Sequence, residues 1–192
     1  MSPGQHFIIS WVTANTVRLD RKSRICITLA GLIPDLDGVG YIFDKVALYF
    51  GTHTSYYEDF HHVYGHNIFA ALISALILSF IAGKRVAVFL LSFIAFNIHI
   101  LCDIAGARGP DGDQWPIAYF YPVFPEVQLV WSGQWQLSSW INSAIGVSFF
   151  IIALLIARYR HVTFFELFSV RMERIVRKVA TSRGFFKFSD TK

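Results

Sequence analysis

Seven residues with metal-binding side chains stand at the ends of apolar segments in this chain. They are His6, Asp35, Asp37, His61, His66, His99 and Asp103. Imidazole nitrogens and carboxylate oxygens without a thiolate suit zinc, iron or manganese better than copper(I). Because the set exceeds the tetrahedral ligand set of a single zinc site, we expect about two or three divalent metal ions that share carboxylates, with zinc preferred. Such clusters serve hydrolysis by activating water.

The spacing of these residues predicts that they meet. His99 and Asp103 are four residues apart, so they project from one face of a helix. Counted from Val86, His99 lies about 20 Å along that helix, near an interface rather than at the bilayer centre. His66 falls in the first turn of the preceding helix and His61 in the loop before it. An antiparallel helix pair then brings these four side chains together.

Two further segments supply the remaining candidates. Asp35 and Asp37 follow Pro34, which ends an apolar run, and in an extended segment residues two apart point the same way. We interpret Asp37 as a general base or a bridging ligand. His62 is either a ligand or a neighbour of the ligands, and we take it as the second candidate catalytic residue. His6 begins the first apolar segment.

The elements that must position these residues are predicted to be membrane helices. Hydrophobic residues make up 54% of the chain and charged residues 16%, which leaves too little polar surface for an ordinary soluble domain. The uncharged stretches 67–83, 86–102 and 138–157 have the length of bilayer-spanning helices. A short Gly-Lys-Arg turn makes the first two an antiparallel hairpin. We therefore predict an all-α, polytopic membrane bundle with at least three spanning helices.

The N-terminal third predicts shorter helices. Residues 7–17 and 25–33 are each too short to cross about 30 Å of hydrocarbon, so we expect two short or partly dipping helices joined by a basic turn. Segment 38–50 contains Asp44 and Lys45 and is expected to form an interfacial or buried packed helix rather than a span.

The distribution of charge predicts an orientation. Of the 17 lysines and arginines, only Lys45 and Arg108 fall in the ligand-bearing segments 33–66 and 103–137. Those segments hold nine of the 13 acidic residues. By the positive-inside rule the basic face is cytoplasmic, so the metal site should face the periplasm and the C-terminus the cytoplasm.

The chain divides into a membrane-embedded hydrolase domain, residues 1–157, and a basic amphipathic tail, residues 158–192. The tail mixes phenylalanines and aliphatic residues with arginines and lysines, as membrane-surface helices do, so its expected partner is anionic lipid. It lacks the context of a nucleic-acid-binding segment, and no nucleic-acid partner is expected. Cys26 and Cys102 should lie at opposite ends of their helices, which makes a disulfide between them geometrically implausible.

Taken singly, most of these residues also have a structural explanation. His53 and His161 are ordinary loop and tail positions, and Asp111 with Asp113 suggests a solvated turn. What favours metal binding is convergence, because ionisable residues near lipid are costly and usually functional. Four tryptophans are predicted to form an interfacial aromatic belt: Trp115, Trp131, Trp135 and Trp140.

The ordered motifs resemble a known family. After His6 come PDLD at 34–37, HHVYGH at 61–66, HILCD at 99–103 and WP at 115–116. This order resembles the LexA-regulated, membrane-bound metal-dependent hydrolase family, also called YdjM-like, over roughly the first 125 residues. The resemblance implies a bacterial inner membrane protein in which Asp37 matches the second acid of the turn. The probable ligand positions of the family match His6, Asp35, His61, His66, His99 and Asp103. The resemblance also implies a distant similarity to zinc-dependent phospholipase C and hence phosphoester hydrolysis.

The chain departs from the family pattern inside the histidine motif. His62, Gly65 and Asn67 stand where the pattern has Arg, Thr and Ser. Arg is the residue that clamps a phosphate with two parallel hydrogen bonds, and His62 and Arg108 are the candidates to replace it.

Three functions follow from these observations. The first is an integral membrane metal-dependent hydrolase that cleaves a lipid or lipid-linked phosphoester with metal-activated water. The second is a metal-binding membrane transporter or sensor, which needs a polar path to the opposite face. The third, a purely structural membrane protein, predicts that Ala at His99 or Asp103 leaves the metal content unchanged.

Overall fold

The protein is built from helices. The structure, a computed structural model, describes residues 1–184, which contain eight α-helices, two 3₁₀ helices and no β-strand. The α-helices are α1 (Pro3–Ala14), α2 (Arg21–Ala30), α3 (Gly40–Tyr49), α4 (Tyr56–Phe60), α5 (Ile68–Ile81), α6 (Arg85–Gly106), α7 (Trp140–Arg160) and α8 (Val170–Ser182). The 3₁₀ helices are Pro34–Val39 and Phe164–Leu167. The predicted all-α fold class is confirmed.

The described residues contain two helices that are candidate membrane spans by length and composition, or three if one bent pair counts as a span. Helices α6, with 22 residues, and α7, with 21, are long and apolar enough to cross a bilayer. A third span is possible where α2 and residues 34–49 form a pair bent by 57°. Helix α5 has only 14 residues, about 21 Å of rise, and so is shorter than its predicted span of 67–83. Its start is set by Asn67, whose side chain accepts from the Ala70 N–H.

The two short N-terminal helices are present as predicted and are tied closely to α6. Asp20 caps α2 by accepting from the Ser23 N–H, a typical N-terminal cap. Gly31, which ends α2, lies so close to α1 that an added Cβ would stand 1.8 Å from the Ser10 Oγ and 3.4 Å from the Ala95 carbonyl oxygen. A residue without a side chain therefore allows α1, α2 and α6 to meet at this point.

Helices α3 and α4 form a separate, exposed pair on the ligand side. The Asp44 carboxylate holds them together by accepting from the Thr54 hydroxyl and from the N–H groups of Tyr56 and Tyr57. The side chains of Val46 and Tyr49 are 50% and 86% exposed. The sequence predicts two alternatives for segment 38–50, an interfacial helix or a buried one. The buried alternative is wrong, because the apolar side chains of the segment face outward. Its placement at the interface stays a prediction.

Arginines join the helices and turns at the opposite end of the bundle. Arg24 forms a buried two-pronged ion pair with Glu166, and Arg21 donates to the Glu166 carbonyl at 2.7 Å. Arg160, at the end of α7, donates to the Val17 carbonyl at 2.9 Å. The basic α1–α2 turn and the end of α7 therefore lie together, as predicted. Cys26 and Cys102 are free thiols, and residues 185–192 of the predicted tail lie outside the described residues.

The buried Arg24–Glu166 pair predicts a large stability effect. Glu166→Gln should lower the free energy of unfolding by about 3–5 kcal/mol, because it leaves the Arg24 guanidinium buried without its counter-charge. Thermal unfolding in detergent, with the exposed Glu126→Gln as control, measures the loss. The double variant Arg24→Met/Glu166→Leu should lose much less than Glu166→Gln. An equal loss in both would show that the pair is not what stabilises this end.

Candidate metal centre

The centre is organised around the Asp103 carboxylate in the last turn of α6. Asp103 is buried, and its Oδ2 lies 3.0 Å from the His99 Nε2 and 3.6 Å from the His66 Nε2. Its Oδ1 lies 3.2 Å from the His6 Nε2 on α1 and also contacts the positively charged amino group of Met1. One carboxylate thus joins imidazoles from α1, α6 and the loop before α5.

Three of these atoms have the mutual spacing of metal ligands. The His66 and His99 Nε2 atoms are 3.3 Å apart, and the Asp103 Oδ2 completes a triangle with them. In a tetrahedral zinc site with bonds of about 2.0–2.1 Å, ligand atoms stand about 3.3 Å from each other. The donor set and its spacing therefore fit a divalent transition metal.

Hydrogen bonds behind the imidazoles fix which nitrogen faces this point. The His99 Nδ1 lies 2.8 Å from the Gly31 carbonyl oxygen, so it must donate, and the Nε2 remains free as a ligand. The His66 Nδ1 lies 3.0 Å from the Asp37 Oδ2, which directs its Nε2 in the same way. Both rings are buried, so their orientation is held before any ion arrives.

Asp35 and Asp37 serve different parts of the centre. They lie in the 3₁₀ helix Pro34–Val39, not in the extended segment predicted, so side chains two residues apart diverge. The Asp35 Oδ1 lies 3.6 Å from the His99 Nε2, and its buried Oδ2 has no hydrogen-bond partner. An unpartnered buried carboxylate oxygen is costly, and this one is available either to ligate a cation or to accept a proton.

Asp37 faces the histidine loop. Its Oδ1 lies 2.7 Å from the His61 Nδ1, and its Oδ2 accepts from the Gly65 N–H at 2.8 Å as well as meeting His66. Both oxygens are thus already engaged by donors. In this geometry Asp37 orients two imidazoles of the loop.

His62 is packed inside the same loop. It is 5% exposed, has a left-handed backbone with φ of 68°, and lies with its ring 5.1 Å from that of Trp115. Burial, with smaller effects of His66 and His61, holds the pKa of His62 well below its ordinary value, so the imidazole is neutral. A neutral imidazole can bind a metal or accept a proton.

The structure brings all seven predicted metal-binding residues into one region. Two groups of side chains could each hold an ion: His6, Asp35, His99 and Asp103 in one, and His61, His62 and His66 in the other. His66 links the groups, since it contacts Asp37 through the Nδ1 and Asp103 through the Nε2. His53 lies in an exposed loop and belongs to neither group.

Charge at the centre is balanced by the acids. Burial lowers the pKa of His66, but its hydrogen bonds to Asp103 and Asp37 outweigh that effect and raise its pKa to about 9. A cation that binds at the His66 Nε2 must therefore compete with a proton.

Two aromatic residues at the centre were missed by sequence reasoning. Tyr57 stacks on His61 with ring centroids 4.6 Å apart, and burial together with the nearby carboxylates raises its pKa to about 12. Trp115 lies edge-on to His61 at 5.7 Å. Its predicted place in an aromatic belt stays a prediction. The WP motif was visible in the sequence, whereas the spacing of Tyr57 gave no signal.

The loop after α6 is fixed to the end of that helix. Gln134 donates to the Asp103 carbonyl at 2.9 Å. Asn142 donates to the Gly106 carbonyl at 2.8 Å and accepts from the Trp135 indole N–H at 2.7 Å. Trp135 therefore supports the end of α6 through Asn142. Its place in the predicted aromatic belt stays a prediction.

A comparison with protein families agrees with this architecture. The family model described as YdjM inner membrane protein matches residues 1–170. The chain belongs to the YdjM inner membrane protein family. The match runs beyond the PDLD, HHVYGH, HILCD and WP motifs to the start of α8 and confirms the resemblance at the level of the YdjM family. No curated protein and no solved structure matches the chain.

Gly65 is predicted to be essential for the geometry of the histidine loop. A Cβ at this position would stand 2.5 Å from the Pro34 carbonyl oxygen and 2.9 Å from the Asp37 Oδ2. Gly65→Ala should therefore separate the loop from the 3₁₀ helix and weaken zinc binding, measured by titration of the purified protein. Gly83→Ala, where a Cβ meets nothing within 4 Å, is the control and should bind like wild type. Equal affinity in both variants would contradict this prediction.

Proposed function

We propose that this YdjM family protein is a membrane metal-dependent hydrolase that cleaves a lipid or lipid-linked phosphoester. The observation that carries the proposal is the convergence of the His66 Nε2, His99 Nε2 and Asp103 Oδ2 at ligand spacing. A bound divalent cation supplies Lewis acidity and lowers the pKa of water. Zinc fits the donor set best, with iron or manganese as alternatives.

The chain's own residues supply the remaining parts of a hydrolytic site. Asp35 is the preferred proton acceptor, because its Oδ2 is free of hydrogen bonds, whereas both oxygens of Asp37 are occupied. We therefore assign Asp37 the positioning of His61 and His66 in place of the general-base or bridging role predicted from sequence. Arg108, whose buried Nε lacks a partner, is the candidate phosphate contact five residues after Asp103.

The lipid nature of the substrate rests on the location of the centre. Two of the three ligands, His99 and Asp103, lie in the last turns of α6, near one end of a candidate span, where amphiphiles reach high local concentration. The charge distribution supports a periplasmic site and a cytoplasmic C-terminus. The exposed apolar and basic side chains of α8, such as Ile175, Val179 and Arg174, support contact with anionic lipid.

The alternative of a metal transporter or sensor needs a polar path through the bundle. Buried hydroxyls do lie on α1 and α2, but Thr13 and Thr28 donate to carbonyls of their own helices, at Ile9 and Arg24. An apolar cluster then fills the bundle between the centre and its basic end, formed by Ala14, Leu19, Cys26, Ile27, Ala30, Leu78, Ala82, Val88 and Ala95. This packing favours hydrolysis over transport.

Metal content tests the centre first. Wild type purified in detergent should carry zinc, iron or manganese by mass spectrometry, and Asp103→Ala should lose it because its carboxylate links the imidazoles. Asp37→Asn should weaken zinc affinity about 10–100-fold without abolishing it, as expected for a residue that orients ligands. The exposed Asp111→Ala is the control. If the wild type carries no metal and its folding does not change when a chelator is added, these residues have structural roles instead.

Hydrolysis is then measured directly. The metal-loaded protein should release para-nitrophenol from hexadecyl para-nitrophenyl phosphate, and Asp35→Asn should slow the release while retaining metal. A fully loaded protein that binds this ester without turnover would count against hydrolysis of such phosphodiesters and leave metal binding intact.

Cysteine labelling of intact cells tests the orientation. With Cys26 and Cys102 replaced by Ala, a membrane-impermeant maleimide should label Asp59→Cys on the ligand side. Arg174→Cys in α8 should react only after the cells are opened, because the basic face is retained in the cytoplasm. The reverse pattern would invert the proposed topology.

A further inference from the structure

An apolar groove opens beside the metal centre. It has a volume of about 440 Å³ and lies between α3, α4 and the histidine loop. Six residues line it in addition to Asp37: Val39, Gly40, Phe43, Tyr56, Phe60 and Tyr64. Four of these are aromatic and form a continuous wall, since the rings of Tyr56 and Phe60 stack at 5.9 Å and those of Phe60 and Tyr64 lie 5.4 Å apart.

The shape of the groove is set by the backbone. At Gly40 an added Cβ would stand 2.7 Å from the backbone of Tyr56 and Tyr57, so α3 and α4 touch there. Beyond this contact the side chains diverge, and Val39, Phe43 and Tyr64 stay 51%, 58% and 50% exposed. An open apolar wall of this kind accommodates hydrocarbon.

The groove is continuous with the centre through a single residue. Within the described part of the chain, Asp37 is the only charged residue lining it, and its oxygens lie 2.7 Å from the His61 Nδ1 and 3.0 Å from the His66 Nδ1. A molecule lying along the aromatic wall therefore has one end beside the Asp37 carboxylate, which separates the groove from the imidazoles. Because both oxygens of Asp37 already meet imidazole nitrogens, the phosphate of a bound ester can lie past this carboxylate at the proposed cation while its adjoining hydrocarbon extends along the wall.

We propose that this groove binds the hydrocarbon chain of a long-chain lipid phosphate and delivers its phosphate to the metal centre from the side. This inference rests on the proposed function and specifies its substrate as a phosphate ester with one long alkyl chain adjoining the phosphate. The chain leaves through the open wall between α3 and α4 into the bilayer.

Helix α3 offers a matched control surface. A second apolar pocket, lined by Tyr41, Ile42, Lys45, Val46, Tyr49 and Phe50, lies on the same helix and does not include Asp37. Val46 is 50% exposed, against 51% for Val39 in the groove. Because the control pocket contains Lys45, charge attraction alone would favour a phosphate there.

The test uses photolabelling of the full-length, zinc-loaded protein in nanodiscs. The probe is hexadecyl phosphate with a diazirine in its chain, and peptides are mapped by mass spectrometry. We expect labelling at Phe43, Phe60 and Tyr64 that unlabelled hexadecyl phosphate competes away and that a diazirine analogue of hexadecanol does not reproduce. Val39→Trp should lower groove labelling about tenfold by filling it, and Val46→Trp should leave it unchanged, both with full metal content.

Each other outcome overturns the inference in a recognisable way. If the groove and the control pocket are labelled equally at full metal content, the groove is an ordinary lipid-facing surface. This result would not contradict the proposed hydrolase function. Absent labelling together with a dimer in light scattering, broken by Val39→Trp, assigns the groove to a second copy of the chain. If the wild type binds no zinc, both the proposed function and this inference are contradicted.

Discussion

The Asp103 carboxylate is a buried negative charge on which the remaining geometry of this protein depends. In a membrane protein a carboxylate near the end of a span is stable only if it is matched by positive charge or by hydrogen-bond donors. His6, His66 and His99 approach it from three separate parts of the chain. Without the carboxylate, the three imidazoles would face one another with no shared negative charge to hold them together.

The imidazoles can reach Asp103 only because the helices approach closely behind them. Gly31 sits where α1, α2 and α6 meet, and its carbonyl also accepts the His99 Nδ1–H. Gly65 plays the same part for the histidine loop, which lies against the Pro34 carbonyl and Asp37. The missing side chains of the two glycines therefore set the distances at which the ligand atoms meet.

The bundle separates its polar chemistry into two ends. At one end lie the histidines and aspartates, together with the exposed α3–α4 pair and the loop after α6. At the other end the Arg24–Glu166 pair and Arg160 join the turns. Small and aliphatic residues pack between the ends, so that electrostatic interactions at each are strengthened by a low-polarity surrounding without direct contact between them.

The sequence alone determined the fold class, the position of the longest helices and the identity of the candidate ligands. Apolar length identifies α6 and α7, and the four-residue spacing of His99 and Asp103 places both on one face. These are local properties, because helix period and side-chain chemistry need no knowledge of the rest of the chain.

Only the tertiary structure decided how the candidates divide their roles. The 3₁₀ turn sends Asp35 toward His99 and Asp37 toward the histidine loop, and it occupies both oxygens of Asp37 with donors. The placement of Tyr57 and Trp115 beside His61, and the aromatic groove next to Asp37, also depend on contacts between distant segments. Residue spacing cannot encode them, since each distance is set by how closely separate helices and loops pack.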